Sequence, residues 1–153
     1  MVKTSDTLIR KAVKNDANEL NLLARNLSHF YLKNNHTELP EWFAKTLHIS
    51  EFERRLESDY FTHFVALRND NIVGYIAMRG ENHLYHLFVT ESAQRRGIAR
   101  RLWEHIINTL PSDIYTLRSS IHAISVYQQF GFITKGEPGE REGICYQEME
   151  FKA

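Results

Sequence analysis

A short basic segment in the second half of the chain has the residue types and spacing to bind a phosphate. Residues 94–99 read Gln-Arg-Arg-Gly-Ile-Ala and lie between an apolar stretch and a helical pattern. The first turn of a helix has amide groups without intrahelical partners, and the helix dipole adds partial positive charge there. The two small residues of the segment leave the backbone open to close approach, and its arginines, together with Arg100, add cations. These features favour an anion at this position.

Two better-known phosphate signatures are absent from residues 94–99. A P-loop would end in Gly-Lys followed by Ser or Thr, and the dinucleotide fingerprint has three glycines where this segment has one. An arginine run beside a loop is also common on solvated surfaces. From the residues alone, a phosphate site and a solvated basic face therefore stay open as interpretations.

The elements around this segment must position it. Residues 84–89 are apolar and predict a strand, whereas residues 98–110 carry apolar side chains every four positions and predict an amphipathic helix that Pro111 ends. Residues 114–117 predict the next strand. Two strands joined by a helix form a crossover unit and run parallel in one sheet. The segment therefore lies where the first strand passes into the helix.

The N-terminal part of the chain predicts one strand followed by helices. Residues 8–13 are compatible with a short strand. An amphipathic helix begins at Asp16, as its N-cap, and continues to Phe30. A short helix covers residues 42–47, and another begins with a capping box in which Ser50 is the N-cap.

The remaining segments predict a β-meander before the crossover unit and a helix with two strands after it. A helix covers residues 120–130, with Ser119 or Ser120 as its cap and Gly131 at its end. The meander strands cover residues 60–67, 72–78 and 84–89, and the closing strands cover residues 132–134 and 144–151. The order predicts an α/β fold of one domain, residues 1–153, whose mixed central sheet passes from an antiparallel meander to a parallel βαβ unit between flanking helices.

The composition argues against several classes of function. The 153 residues contain 19 Lys and Arg against 19 Asp and Glu, so the formal net charge is zero. A general nucleic-acid-binding protein usually has a large basic excess, and a membrane-surface protein often has a polybasic segment. No stretch reaches the ~20 apolar residues of a membrane span, and the single cysteine, Cys145, cannot form an intrachain disulfide. We expect a cytoplasmic protein that binds neither nucleic acid nor membrane.

Two motifs resemble signatures of the GNAT N-acetyltransferases. Residues 94–99 are similar to the family's Gln/Arg-x-x-Gly-x-Gly/Ala loop, which binds the pyrophosphate of acetyl-CoA through backbone amides. Residues 120–132 resemble the later signature, a helix that ends in Tyr-x-x-x-Gly-Phe, here with Tyr127 and Gly131. The motifs occur in the family's order, and the resemblance covers essentially the whole chain. It implies a GNAT-like fold, acetyl-CoA as cofactor, and acetyl transfer to a primary amine of a small molecule or peptide by direct attack in a ternary complex.

The resemblance also implies how acetyl-CoA binds. The strand that ends at Val89 splays from the next parallel strand, the cofactor's arm enters the gap, and backbone amides of residues 87–89 hold the acetyl carbonyl. Tyr127 corresponds to the family's tyrosine near the CoA sulfur, and a phenol is a reasonable proton donor to a thiolate. Ser120 stands where many members have an asparagine that contacts the pantetheine arm. The implied cofactor-binding residues are Leu87, Phe88, Val89, Gln94, Arg95, Arg96, Gly97, Ile98, Ala99, Arg100, Ser120 and Tyr127.

The general base stays open between two candidates. His83 and Tyr85 occupy strand positions where some members of the family look to carry base histidines. An imidazole titrates near neutral pH and can accept a proton directly or through water. Regular strand alternation places both side chains on the face of Leu87 and Val89. A surface histidine without a catalytic role is the alternative interpretation of His83.

The acceptor and the partners also stay open. The early helix-loop region covers the substrate in the family, so His36, Glu38 and Glu41 could shape the acceptor pocket. We expect no metal site, because the eight histidines form no His-Glu-x-x-His or Cys/His grouping. A non-catalytic acetyl-CoA-binding sensory or regulatory module is the main alternative function, and nucleic-acid binding through the arginines is a weaker one. The C-terminal strand, as an exposed edge, could support a homodimer.

Overall fold

The computed structural model describes residues 7–27, 40–142 and 144–153. The predicted continuation of the first helix to Phe30 lies outside these residues. Within them, the helices are α1 (Ala17–Leu27), α2 (Glu41–Thr46), α3 (Ile49–Glu57), α4 (Ile98–Thr109) and α5 (Ile124–Phe130). The strands are β1 (Leu8–Lys11), β2 (Phe61–Arg68), β3 (Asn71–Arg79), β4 (His83–Val89), β5 (Ile114–Ser120), β6 (Ile133–Thr134), β7 (Gly139–Arg141) and β8 (Ile144–Lys152).

All the strands join one mixed sheet. Its order is β1-β2-β3-β4-β5-β8-β6, with β7 also paired to β8. The strands from β1 to β4 form an antiparallel meander, and β4 pairs with β5 in parallel after the crossover through α4. Helices flank this sheet, so the predicted α/β class, with a meander followed by a parallel βαβ unit, is confirmed.

The parallel pairing of β4 with β5 is confined to the first two residues of β4. His83 pairs with Thr116 and Leu84 pairs with Leu117, and no later pair joins these strands in the part of the chain that the structure describes. Residues 85–89 thus continue without a ladder to β5, while β3 remains their partner on the other side. The central sheet consequently opens between the second half of β4 and the end of β5.

Two apolar cores hold the helices on opposite faces of the sheet. Along β3, Ile76 belongs to the core beneath α4 and α5, and Tyr75 belongs to the core beneath α1 and α3. Trp103 of α4 packs edge-on against Tyr115 at a ring-centroid distance of 4.9 Å, and Phe52 of α3 packs against Tyr75 at 6.1 Å. Full burial of one such side chain stabilises the fold by ~1.5–3 kcal/mol. These contacts keep the sheet in place on both sides of its opening.

Two predicted helix caps are wrong. Asp16 ends a short 3-10 turn before α1, and its carboxylate accepts hydrogen bonds from the Val13 amide at 2.8 Å and the Arg10 guanidinium at 2.8 and 2.9 Å. The helix α3 begins two residues earlier than predicted, with His48 rather than Ser50 at its N-cap. In the first case the Val13 amide and Arg10 bind the carboxylate that the sequence assigns to the cap of α1.

In the C-terminal third of the chain, the boundaries of the helices and strands differ from the prediction. β5 extends to Ser120, and a 3-10 turn, Ile121–Ala123, separates that strand from α5, so neither predicted serine caps the α-helix. Gly131 does end α5, with a left-handed φ of 109°. The segment between the two predicted closing strands contains a further strand, β7.

The C-terminal strand is not an edge of the sheet. β8 pairs with β5 on one side and with β6 and β7 on the other. Its backbone groups are therefore already used within the sheet, and the prediction that this strand offers an exposed edge for a homodimer is wrong. The ends of the sheet order are β1 and β6.

Candidate functional site

A β-bulge in β4 changes which side chains face the opening. The register with β3 passes from His86 to Leu84 and leaves Tyr85 as an extra residue. Tyr85 and His86 therefore lie on the α3 side, with their ring centroids 4.4 Å apart, and His86 lies 5.8 Å from Phe52. Leu84 and Leu87 belong to the core on the α4 side. The predicted alternation, which placed His83 and Tyr85 on the face of Leu87 and Val89, is wrong: His83 precedes Leu84 in the strand and so lies on the face opposite Leu84 and Leu87.

Two cavities meet where the sheet opens. The first, which we call the loop cavity, has a volume of about 700 Å³ and lies between residues 94–100, the end of β4 and α5. The second, the β8 cavity, has a volume of about 790 Å³ and is bounded by α2, β4, β5 and β8. The residues that line both cavities are Leu87, Ser120, Ala123 and Tyr127. Molecules bound in the two cavities would thus contact the same four residues.

The loop before α4 has a backbone suited to an anion. Arg95 and Gly97 both have left-handed backbones, with φ of 65° and 79°, and the Gln94 side chain closes the loop by donating to the Val89 carbonyl at 3.0 Å. Gly97 is the N-cap of the twelve-residue helix α4. A Cβ added to Gly97 would meet no atom within 4 Å, so the backbone here faces open space. A pyrophosphate fits this position because it can approach the unpaired amides of the first turn.

The loop cavity collects the residues predicted to bind the cofactor, with one exception. Arg96 is exposed and does not line the cavity. Arg100 does line it, donates to the Gln129 carbonyl at 3.1 Å, and lies over the Phe130 ring at 5.2 Å. The others that line it are Leu87, Phe88, Val89, Gln94, Arg95, Gly97, Ile98, Ala99, Ser120 and Tyr127. Arg100 therefore also ties α4 to the end of α5.

Tyr127 lies at the junction of the two cavities. Its side chain is 7% exposed, and its ring packs edge-on against Phe130 and Phe132 at centroid distances of 6.1 and 5.9 Å. The helix α5 that presents it ends four residues later at Gly131, and Ser120 lies nearby on both cavity walls. Packing thus fixes this phenol where the contents of the two cavities would meet.

His83 lines the β8 cavity as a neutral imidazole. Its Nδ1 shares a hydrogen bond of 2.8 Å with the Thr116 hydroxyl. Burial lowers the pKa of His83 below its ordinary value, and the nearby charges of Arg79 and Arg118 lower it further. A histidine with a depressed pKa is unprotonated at neutral pH and can accept a proton.

Tyr85 lines the same cavity between two guanidinium groups. Arg55 lies 5.4 Å and Arg79 lies 5.5 Å from the centroid of its ring. Arg55 is 1% exposed and donates to the Thr46 carbonyl at 2.8 Å. Two cation–π contacts therefore hold the ring of Tyr85. The ring does not rotate freely, as that of a surface tyrosine would.

A hydrogen-bonded chain behind this wall fixes α3 against the sheet. His63 must donate through Nε2 to the Arg55 carbonyl at 3.0 Å, and its Nδ1 then accepts from the Tyr75 hydroxyl at 2.9 Å. Burial lowers the pKa of His63 to about 4, which keeps the ring neutral. These hydrogen bonds position Arg55, and Arg55 in turn positions the ring of Tyr85.

Several residues of the β8 cavity were missed by sequence reasoning. Trp42 and Phe43 of α2 line it, whereas the predicted Glu41 does not; the other predicted pocket residues, His36 and Glu38, lie outside the described ranges. Arg141 was also missed, although it lies only 3.9 Å from the centroid of the Trp42 ring. The contact joins residues far apart in sequence, so no local pattern could have indicated it. No cluster of three metal-ligating side chains occurs in residues 7–27, 40–142 and 144–153.

The chain matches one protein family and resembles several solved structures. A family model described as the acetyltransferase (GNAT) domain matches residues 13–153. A PaiA N-acetyltransferase from Thermoplasma acidophilum, solved in complex with coenzyme A, has a TM-score of 0.80 at 16% identity, over 97% of this chain and 99% of its own. YjaB from Escherichia coli, in the apo form, has a TM-score of 0.68 at 21% identity, over 99% of this chain and 98% of its own.

A mutant of the spermidine N-acetyltransferase SpeG from Vibrio cholerae is also similar, with a TM-score of 0.67 at 16% identity over 97% of this chain and 94% of its own. Among curated proteins, none matches this chain. No helix in the described ranges is long and apolar enough to cross a membrane. The match over nearly the whole chain confirms the predicted resemblance: the protein belongs to the GNAT acetyltransferase family, whose cofactor is acetyl-CoA.

Proposed function

We propose that this protein is an N-acetyltransferase that transfers the acetyl group of acetyl-CoA directly to a primary amine in a ternary complex. The observation that carries the proposal is the junction of two cavities at Leu87, Ser120, Ala123 and Tyr127. The loop cavity suits the cofactor because the residues predicted to bind it, except Arg96, line this cavity. The β8 cavity gives a second molecule separate access to the junction. Direct attack needs such a site, because both reactants must be held in contact at once.

Backbone groups would perform much of the binding and stabilisation. The amides at the start of α4 would hold the pyrophosphate beside Gly97. Residues 85–89 have no ladder to β5 in the described structure, which makes their backbone available to the pantetheine arm. The amides of residues 87–89 would stabilise the negative charge that develops on the acetyl oxygen during attack. Bound acetyl-CoA supplies an acetyl group activated as a thioester.

Two side chains would move the protons. The amine nitrogen forms a bond to the acetyl carbon, the carbon–sulfur bond breaks, and Tyr127 donates its phenolic proton to the departing sulfur. His83 would accept the proton that the amine loses, directly or through water, since its neutral imidazole lines the acceptor side. Tyr85 is the alternative base; its position between Arg55 and Arg79 instead supports a role in shaping the cavity wall.

Replacing Gly97 with glutamate should abolish acetyl-CoA binding. The new side chain would enter the open space beside the first turn of α4, add a negative charge next to the phosphates, and strain a backbone with φ of 79°. Isothermal titration calorimetry with acetyl-CoA measures this effect. Gly136→Glu is a matched control, because Gly136 also has a left-handed φ, of 73°, and open space around it, yet lines neither cavity. Equal acetyl-CoA affinity in the Gly97 variant and the control would remove the loop from the proposed site.

Replacing Tyr127 with phenylalanine should lower kcat by about 10²-fold, because the departing sulfur loses its proton donor while the ring packing remains. The measurement is thiol release with a panel of amines, at saturating acetyl-CoA, together with calorimetry to show unchanged acetyl-CoA binding. Tyr115→Phe is the control for loss of a buried hydroxyl, since Tyr115 donates to the Leu110 carbonyl at 2.7 Å and lines neither cavity. Full activity of the Tyr127 variant would mean that Tyr127 packs against its neighbours and does not donate a proton. Acetyl-CoA binding without turnover on any amine would instead favour the sensory module.

The pH dependence of kcat/KM should show an acid limb that belongs to His83. A base must be unprotonated, so activity should fall as the pH drops through the pKa of His83, which burial places below the ordinary histidine value of about 6.5. His83→Gln should lose this limb and most of the activity, whereas the exposed His48→Gln should keep both. A wild-type acid limb that persists unchanged in His83→Gln would assign the limb to another group.

A further inference from the structure

Among the described residues that line the β8 cavity, cationic side chains outnumber carboxylates. The cations are Arg79, Arg118, Lys135 and Arg141, and the carboxylates are Glu148 and Glu150. Both carboxylates are already paired: Arg118 lies 3.2 Å from Glu148, and Lys135 lies 3.8 Å from Glu150. Within the described residues, no carboxylate lies at ion-pair distance from Arg79 or Arg141. Two guanidinium groups therefore keep their charge available.

Aromatic rings hold these two guanidinium groups at the cavity wall. The Arg141 guanidinium lies 3.9 Å from the centroid of the Trp42 ring, and that of Arg79 lies 5.5 Å from the centroid of Tyr85. A guanidinium that stacks on a ring uses its face and keeps the N–H donors of its edge for other partners. The ring contacts thus restrain both groups, and their N–H donors can bind an oxyanion.

The same wall contains a buried donor without an acceptor. The Nε1 atom of Trp42 is buried and has no hydrogen-bond partner among the described residues. An indole N–H can only donate, and a buried donor left unpaired destabilises the structure by ~1–3 kcal/mol. Trp42 lines the β8 cavity together with Arg141. An oxygen atom of a bound molecule would satisfy the indole and meet the adjacent guanidinium.

We propose that the acceptor amine of this enzyme also carries an oxyanion group, a carboxylate or a phosphate, which Arg79 and Arg141 bind in the β8 cavity. The proposal rests on the acetyltransferase function proposed above. The anion would bind at the part of the cavity formed by Arg79 and Arg141, which we call the arginine wall. The amine would then reach the junction at Tyr127. A polycationic amine would instead meet like charges on this wall, which disfavours its binding.

The proposal is tested by measuring thiol release from acetyl-CoA with pairs of acceptor amines that differ only in the anionic group. The ω-aminocarboxylates of three to six carbon atoms are compared with the carboxamides of the same length, and O-phosphoethanolamine is compared with ethanolamine. These pairs distinguish a carboxylate from a phosphate as the preferred anion. We expect kcat/KM to be at least about 10-fold higher for the anionic member of the best pair, since charge-assisted hydrogen bonds favour it. Equal or better use of the uncharged members, or of spermidine, overturns the proposal.

Arginine variants locate the site. Arg79→Gln and Arg141→Gln should each reduce the ratio of kcat/KM for the anionic member to that for its uncharged counterpart towards one. Arg68→Gln should leave the ratio unchanged, because Arg68 is a cation of the sheet that lines neither cavity. A ratio that survives both cavity substitutions overturns the assignment of these arginines.

Failure of the acetyltransferase function would be recognised separately. If no amine releases thiol although acetyl-CoA binds, the anion site is judged by calorimetry, with the same aminocarboxylates and carboxamides titrated into the protein saturated with CoA. The anion site is supported if the aminocarboxylate binds, the carboxamide does not, and Arg141→Gln abolishes the binding. Equal binding of acid and amide, or binding of neither, overturns it.

Discussion

The site depends on the early end of the parallel pairing between β4 and β5. In the part of the chain that the structure describes, His83 and Leu84 are the only residues of β4 that pair with β5, and the rest of β4 diverges while β3 holds its other edge. A sheet that stayed closed would bring the two strands to the usual spacing of ~4.8 Å and leave no room for a ligand. At this opening, the loop cavity and the β8 cavity share the lining residues Leu87 and Tyr127. The backbone exposed at the opening is costly unless water or a ligand satisfies it, which suits a strand edge that binds an extended cofactor arm.

The surrounding structure keeps this opening rigid from both faces. On one face, Trp103 and its aromatic neighbours hold α4 and the strands that it crosses. On the other, the neutral His63 joins the Tyr75 hydroxyl to the Arg55 carbonyl and so fixes α3. The buried Arg55 then supports the ring of Tyr85 at the cavity wall. The bulge at Tyr85 brings this ring to the α3 side, so this part of the β8 cavity wall is built by a local irregularity that packing stabilises.

Sequence reasoning could predict the elements with strong local signals. The four-residue spacing in α4, the glycine at the end of α5 and the loop before α4 all have local causes, and the structure has these elements where the sequence predicts them. The bulge at Tyr85 has no such signal, because it results from the pairing of β4 with β3. The cap predicted at Asp16 failed since Arg10 and the Val13 amide bind its carboxylate. The arginine wall was also missed, because the sheet and α2 bring its members together only in the folded chain.

A crystal structure of the complex with acetyl-CoA would show whether the opening in the sheet is the cofactor site. We expect the phosphates to contact the amides at the start of α4, the pantetheine arm to lie between β4 and β5, and the sulfur to lie within ~3.5 Å of the Tyr127 hydroxyl. Acetyl-CoA bound away from this opening, or a complex in which β4 and β5 pair beyond Leu84 and Leu117, would contradict this expectation.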